Sequence, residues 1–273
     1  MKHSLPFHTG LITGASSGIG RAMACELAHR GIQKLILVSR NQEKLDELKS
    51  FITKINNIDV RCISLDLSEA SSPEILLHTV QSWGWEVDCL VNNAGFAIRT
   101  EDEFNHPEKV QQMIQLMATS PLLLSQMFGK LMAEKNHGYI LNVSSIVGGF
   151  PVSSTLTYAA IKRFMNAFSH ALSYEWRPCK VFVTCLQPGA TTSSFHQKNN
   201  FPVPKKWQKF FRPSEQIAKE GINGLIRKKR NVIPGWEYKI LFFITHLIPH
   251  SWLFDFHKSC WRDRRDKICK KNS

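Results

Sequence analysis

Tyr158 and Lys162 stand four residues apart in Tyr158-Ala-Ala-Ile-Lys162, a spacing that puts two side chains on one helix face about 6 Å apart along the axis. A phenol with an ordinary pKa of about 10 is a poor acid or base near neutrality. A neighbouring cation lowers that pKa by favouring the phenolate, so the pair predicts a tunable acid/base. Ser145, thirteen positions before Tyr158, ends the apolar run Tyr139-Ile-Leu-Asn-Val-Ser-Ser145, which reads as a buried strand; Gly148 and Gly149 then break the run. A hydroxyl at such a strand end can hydrogen-bond the oxygen that the phenol protonates. A tyrosine and a lysine at this spacing are common on ordinary helices, so the weight comes from a second signal near the start of the chain.

There, a short strand, Gly10-Leu-Ile-Thr13, runs into Gly14-Ala-Ser16-Ser17-Gly18-Ile19-Gly20 and then into a helical pattern from Arg21 to His29. Glycines allow close backbone approach, and the free N–H groups of a helix start attract a pyrophosphate. The next strand, Lys34 to Ser39, ends at Arg40 with no carboxylate beside it. In a dinucleotide fold an acid at this place accepts from the ribose 2′-OH, whereas an arginine pairs with a 2′-phosphate, so Arg40 predicts NADPH in preference to NADH.

These strands have to be held in one sheet. Val60 to Asp66, Val87 to Val91, Tyr139 to Ser145 and Val181 to Leu186 alternate with helical stretches at 42–55, 72–82, 108–134 and 157–176. That order predicts an α/β chain with a single doubly wound parallel sheet and helices on both faces. Asp66 and Asn92-Asn93-Ala94-Gly95 then fall at carboxyl ends of strands, where open α/β sheets bind ligands. The stretch 108–134 reads as one unusually long apolar helix; an intersubunit bundle with 157–176 and burial in the core are both open. Beyond Thr192, residues 193–212 mix prolines, lysines and aromatics without a period, as expected of an entrance lid. A helix from Pro213 to about Arg230, capped by Ser214, and a last strand at 231–235 follow. Residues 1–192 are thus read as a binding and catalytic core, 193–235 as lid and last strand of the same domain, and 236–273 as a basic aromatic tail.

The formal net charge of +13 belongs almost wholly to the last quarter: residues 198–273 hold 18 Lys/Arg and 6 Asp/Glu, the first 197 residues 17 and 16. The basic residues form no recognition motif, so nucleic acid is not expected as a partner. The tail interleaves that charge with Ile240, Leu241, Phe242, Phe243, Ile244, Trp252 and Phe254 in a run too short to cross a bilayer. It reads either as a segment lying on an anionic membrane surface, as a lid over an apolar channel, or as a helix docked on its own core. Seven cysteines without a C-x-x-C pair suggest reduced thiols, no metal site and a cytoplasmic setting, and Met1 to Pro6 has no apolar leader pattern.

Taken together, the sequence from about Gly10 to Thr192 resembles the short-chain dehydrogenase/reductase family, through TGASSGIG at 13–20, LDL around Asp66, NNAG at 92–95, NVSS ending at Ser145, YAAIK at 158–162 and PGATT at 188–192. The resemblance implies a Rossmann-type sheet and NAD(P)-dependent hydride transfer between a carbinol and a carbonyl. It implies Tyr158 as general acid/base, Lys162 as the group that lowers its pKa and holds the nicotinamide ribose, and Ser145 as the hydroxyl on the substrate oxygen. Gly14, Ser16, Ser17, Gly18, Ile19 and Gly20 match the pyrophosphate turn. Asp66 and Leu67 match the adenine side, and Asn93, Ala94, Gly95, Pro188, Gly189 and Thr191 match further cofactor contacts. The C-terminal segment resembles lipid-directed branches of the family, such as 3-oxoacyl and steroid reductases, more loosely, and its aromatic content suggests an apolar ketone or acyl substrate; a homodimer or homotetramer is expected. One departure stands out: many members carry an asparagine in the long helix that holds a proton-relay water, and here that place is taken by Met117. Either other groups build the relay or turnover is slow, and a cofactor-binding regulatory or scaffold protein is the rival reading.

Overall fold

The computed structural model describes residues 5–149, 155–192 and 211–247. The first half alternates β1 (Thr9–Thr13), α1 (Gly18–His29), β2 (Lys34–Ser39), α2 (Gln42–Thr53), β3 (Asp59–Ser64), α3 (Ser72–Ser82) and β4 (Cys89–Asn92). Then come α4 (Thr100–Glu103), α5 (Pro107–Ile114), a π-helical turn (Gln115–Thr119), α6 (Ser120–Glu134), β5 (Gly138–Val143), a 3-10 turn (Ile146–Gly149) and α7 (Leu156–Glu175). The chain continues through β6 (Val181–Leu186), β7 (Thr191–Thr192), β8 (Arg212–Pro213), α8 (Ser214–Ile226), β9 (Asn231–Val232) and α9 (Trp236–Leu247).

Seven strands make one parallel sheet in the order β3-β2-β1-β4-β5-β6-β9, and β7 and β8 pair in a small second ladder. Side chains alternate between its faces, as a period of two requires. Ile12, Leu35 and Leu37 join α1, α2 and α8 on one side; Leu11, Ile36 and Val38 join α3, α6 and α7 on the other. The chain doubles back between β1 and β4, so their carboxyl ends open a crevice, the usual ligand position in such sheets.

The doubly wound expectation holds, with two local corrections. The long helix expected at 108–134 is present, with right-handed helical backbone through every junction from Pro107 to Glu134, but it carries a π turn at Gln115–Thr119 immediately before Pro121. Proline has no N–H for the preceding carbonyl ladder, which accounts for the widened turn at this place. Ser214 is not the cap of the following helix. Pro213 occupies that place, and the Ser214 hydroxyl is buried inside the first turn without a hydrogen-bond partner. The expected lid at 193–212 falls almost wholly outside the described residues.

Candidate active site

The glycine-rich turn joins the β1 and β4 ends into one surface. Gly14 has φ of +67°, a left-handed conformation that L side chains avoid, and a Cβ there would come 2.8 Å from the Ala94 Cα. The Asn93 amide nitrogen donates to the carbonyls of Thr13 (3.0 Å) and Gly14 (3.2 Å), and the Thr13 hydroxyl accepts from the backbone of Asn93 and Ala94. Helix α1 starts at Gly18, and Ser17 at its N-cap makes no side-chain capping bond. Its first N–H groups therefore lack a side-chain partner beside the partly buried Ser16, Gly18 and Ile19, with Gly20 buried behind them. This donor set and shape fit the pyrophosphate of a dinucleotide.

Arg40 and Asp66, read separately in the sequence, meet: Arg40 Nη1 lies 3.4 Å from Asp66 Oδ2. Burial pushes the Asp66 carboxyl up, but two hydrogen bonds from Ser68 and the Arg40 charge outweigh it and hold the group below its ordinary value. Leu67 is buried beside them, and its carbonyl accepts from the Ser120 hydroxyl at 2.7 Å. Arg40 remains largely exposed.

Ser145, Tyr158 and Lys162 converge at the β5 end. Gly148 makes this approach feasible, since a Cβ there would come 2.6 Å from the Lys162 carbonyl. Ser145 Oγ donates to the Pro188 carbonyl (3.3 Å), accepts from the Val147 N–H (3.3 Å) and shares a hydrogen bond with the Tyr158 phenol. Lys162 Nζ donates to the Val143 carbonyl at 2.9 Å and sits 5.5 Å from the Tyr158 ring centroid. The pKa direction reverses the expectation. Burial pushes the phenol up to about 12 against the pull of the Ser145 hydrogen bond, and burial brings Lys162 down to about 8. The expected lowering of Tyr158 by its cation is absent because desolvation dominates, and the ammonium is turned to a backbone carbonyl.

Met117 lies in the π turn, buried, with its sulfur 3.1 Å from where a Gly95 Cβ would be. Close by is a cavity of about 10 Å³ lined by Thr13, Asn92, Met117, Ser120 and Lys162, among others. The thioether thus fills space beside the Asn93–Gly95 loop. On the far side, Pro188 is buried against Ser145, while Gly189 is partly exposed and its carbonyl accepts from the Thr191 hydroxyl.

Sequence reasoning missed three positioning residues. Thr13 was visible only as a letter of the glycine motif. Glu103 accepts from the Thr157 N–H and hydroxyl at 3.0–3.3 Å, capping α7 one residue before Tyr158 from 54 positions away. Tyr238 accepts from the Ala190 N–H at 3.1 Å. For the last two no local pattern exists, because the partners meet only in the fold.

A doubly wound sheet with this strand-end constellation is an arrangement found in nicotinamide-dependent oxidoreductases. Residues 8–202 match the family described as short chain dehydrogenase, and the chain belongs to that family. It is 32% identical over 215 residues to human 17-beta-hydroxysteroid dehydrogenase type 3, covering 78% of this chain and 66% of that protein. It is 31% identical over 256 residues to the mouse very-long-chain 3-oxoacyl-CoA reductase, covering 89% and 81%. Among solved structures, a short-chain dehydrogenase from Sphingobium yanoikuyae in complex with NADPH superposes with a TM-score of 0.78 at 25% identity, covering 86% of this chain and 92% of that one.

Proposed function

We propose that the chain reduces a hydrophobic ketone or 3-oxoacyl group with NADPH, using Ser145, Tyr158 and Lys162. The observation that carries this reading is the convergence at the β5 end of the Ser145 hydroxyl, hydrogen-bonded to the Tyr158 phenol, with Lys162 Nζ 5.5 Å from the centroid of the same ring. Burial makes this phenol a weaker acid than in water, but the alkoxide formed on reduction is a stronger base than phenolate and can take its proton. The bound nicotinamide would supply the hydride. Tyr158 gives its proton to the developing alkoxide, and Ser145 turns its hydroxyl from the Pro188 carbonyl to the same oxygen. Lys162, still cationic at neutral pH, offsets the negative charge left on the phenolate. The turn from Gly14 to Gly20 would hold the pyrophosphate, Asp66 and Leu67 the adenine side, and Asn93, Ala94, Gly95, Pro188, Gly189 and Thr191 the nicotinamide half. The relatives' names supply the substrate class.

Arg40 supports the NADP(H) preference. A charge-assisted bond to a phosphate is worth about 1.5–3 kcal/mol, so Arg40→Glu is expected to raise the KM for NADPH by roughly 10- to 100-fold and leave NADH little affected. Steady-state assays with both cofactors decide it; an unchanged NADPH KM removes Arg40 from the site. The reductase itself is tested by NADPH oxidation over a panel of 3-oxoacyl thioesters, steroid ketones and aromatic ketones. The rival regulatory reading draws chiefly on Met117, and tight NADPH binding without turnover of any ketone would favour it.

The apolar crossover helix presents apolar side chains in two directions. Leu124, Phe128 and Met132 lie in the core, while Ile114, Leu122, Ala160 and Phe164 line an apolar groove of about 420 Å³ between the crossover and α7. We take this groove as the homodimer face. Phe164→Glu is expected to halve the mass seen by analytical ultracentrifugation; an unchanged dimer would place the interface elsewhere. The division at residues 192 and 235 into core, lid with last strand, and tail is retained as part of this proposal.

A further inference from the structure

Helix α9 has two faces with opposite surroundings. Its inner face is pinned to the active-site edge. Tyr238 is buried, hydrogen-bonded to Ala190, and its ring fills the space where a Gly189 Cβ would be. Thr245 is buried, Arg212 clasps Glu237 through bonds of 2.7–2.9 Å, and the helix packs on the Ile146–Gly149 turn that follows Ser145. The outer face carries Trp236 at 71% exposure, Phe243 at 65%, Ile240 at 50% and Ile244 at 44%. At 100° per residue these four fall within about a third of the helix circumference. Exposed Lys239 stands at the edge of that stripe.

A helix held by one face normally turns polar residues to water; this one turns out its largest apolar side chains. Twelve residues span about 18 Å, too short to cross a bilayer, and no helix among the described residues is long and apolar enough to do so. The sequence that follows, 248–273, holds seven Lys/Arg against three Asp, interleaved with Trp252, Leu253, Phe254, Phe256 and Trp261. Apolar anchors with a lysine at their margin and a basic aromatic continuation complement an anionic lipid surface.

We propose that the outer face of α9 is a membrane-docking surface, lying in the plane of an anionic leaflet with Trp236, Ile240, Phe243 and Ile244 in the headgroup–acyl boundary. Because the inner face packs on the Ile146–Gly149 turn and on Gly189–Ala190, docking sets the side of the molecule that carries Ser145 and Pro188 towards the lipid surface. The substrate is then a ketone dissolved in the membrane and taken from it without crossing water. This second step rests on the reductase reading; the docking does not.

The test uses the full chain and a Trp236→Glu/Phe243→Glu variant, both changed side chains being exposed and outside the catalytic set. Binding is measured by flotation with phosphatidylcholine vesicles, with and without phosphatidylserine. Wild type is expected to float with the anionic vesicles, less so as salt rises, and the variant to bind at least about tenfold more weakly. Its turnover of a water-soluble ketone should be unchanged, while turnover of a long-chain ketone presented in vesicles should fall about tenfold. Wild type that stays unbound, or a variant that binds equally, overturns the docking. A dimer that the variant splits assigns the face to a second copy and overturns it as well. Equal turnover of the vesicle ketone by both proteins overturns the delivery step alone. A chain that floats but reduces no ketone leaves the docking standing and sinks the reductase reading instead.

Discussion

Tyr158→Phe is expected to lower kcat by about a thousandfold or more while NADPH still binds with nearly its original affinity, because a positioned acid contributes roughly 10²–10⁴ to such a step. The substitution removes one oxygen and leaves the ring. Ser145 keeps its bonds to the Pro188 carbonyl and the Val147 N–H, so the site's backbone has no cause to move. A loss in kcat without a loss in cofactor affinity separates an acid from a structural tyrosine. Fluorescence titration with NADPH and single-turnover kinetics read the two quantities independently. Retention of even a tenth of the wild-type kcat would mean that another group delivers the proton.

The second large effect concerns Lys162 and appears in stability as well as rate. In the native chain Lys162 holds its proton only up to about 8, against 10.5 for an ordinary lysine. Between those values the unfolded state binds more protons than the native state, so stability rises with pH across that window. The cost of keeping the ammonium buried is present in full below pH 8 and is gone above pH 10.5. It amounts to about 3 kcal/mol. Lys162→Met carries no such charge. The difference in unfolding free energy between wild type and Lys162→Met should therefore shift by about that amount, in favour of wild type, from pH 7 to above pH 10. Subtracting the variant largely removes the other titrations, among them Tyr158 and Cys185, both pushed up by burial. Turnover by the variant should fall together with kcat/KM. A difference that does not move with pH would mean that Lys162 is not a buried cation, and its proposed role toward the phenolate would go with it.

Much of the site was legible because its parts are local. The glycine turn, Asp66, the Asn93 loop, Ser145 and the Tyr158/Lys162 pair each sit at a strand end or on one helix face. Alternating patterns are enough to bring such places together in a doubly wound sheet. What escaped depends on partners far apart or on burial. Four-residue spacing brings Lys162 near Tyr158 but says nothing of desolvation, which reverses the expected pKa direction. Pro121 was in plain view within the long helix, yet apolarity on both sides hid the π turn it follows. In α9 the apolar residues surround the helix, so its sequence does not reveal which face Tyr238 would pin to Ala190, 48 residues away.

Hydride transfer is read out by product analysis after reaction of a 3-oxoacyl or steroid ketone with NADPH deuterated at the transferable nicotinamide position. One deuterium on the new carbinol carbon by mass spectrometry, absent with Tyr158→Phe, is the predicted result. NADPH that binds and remains unoxidised, or an alcohol without the label, would contradict it.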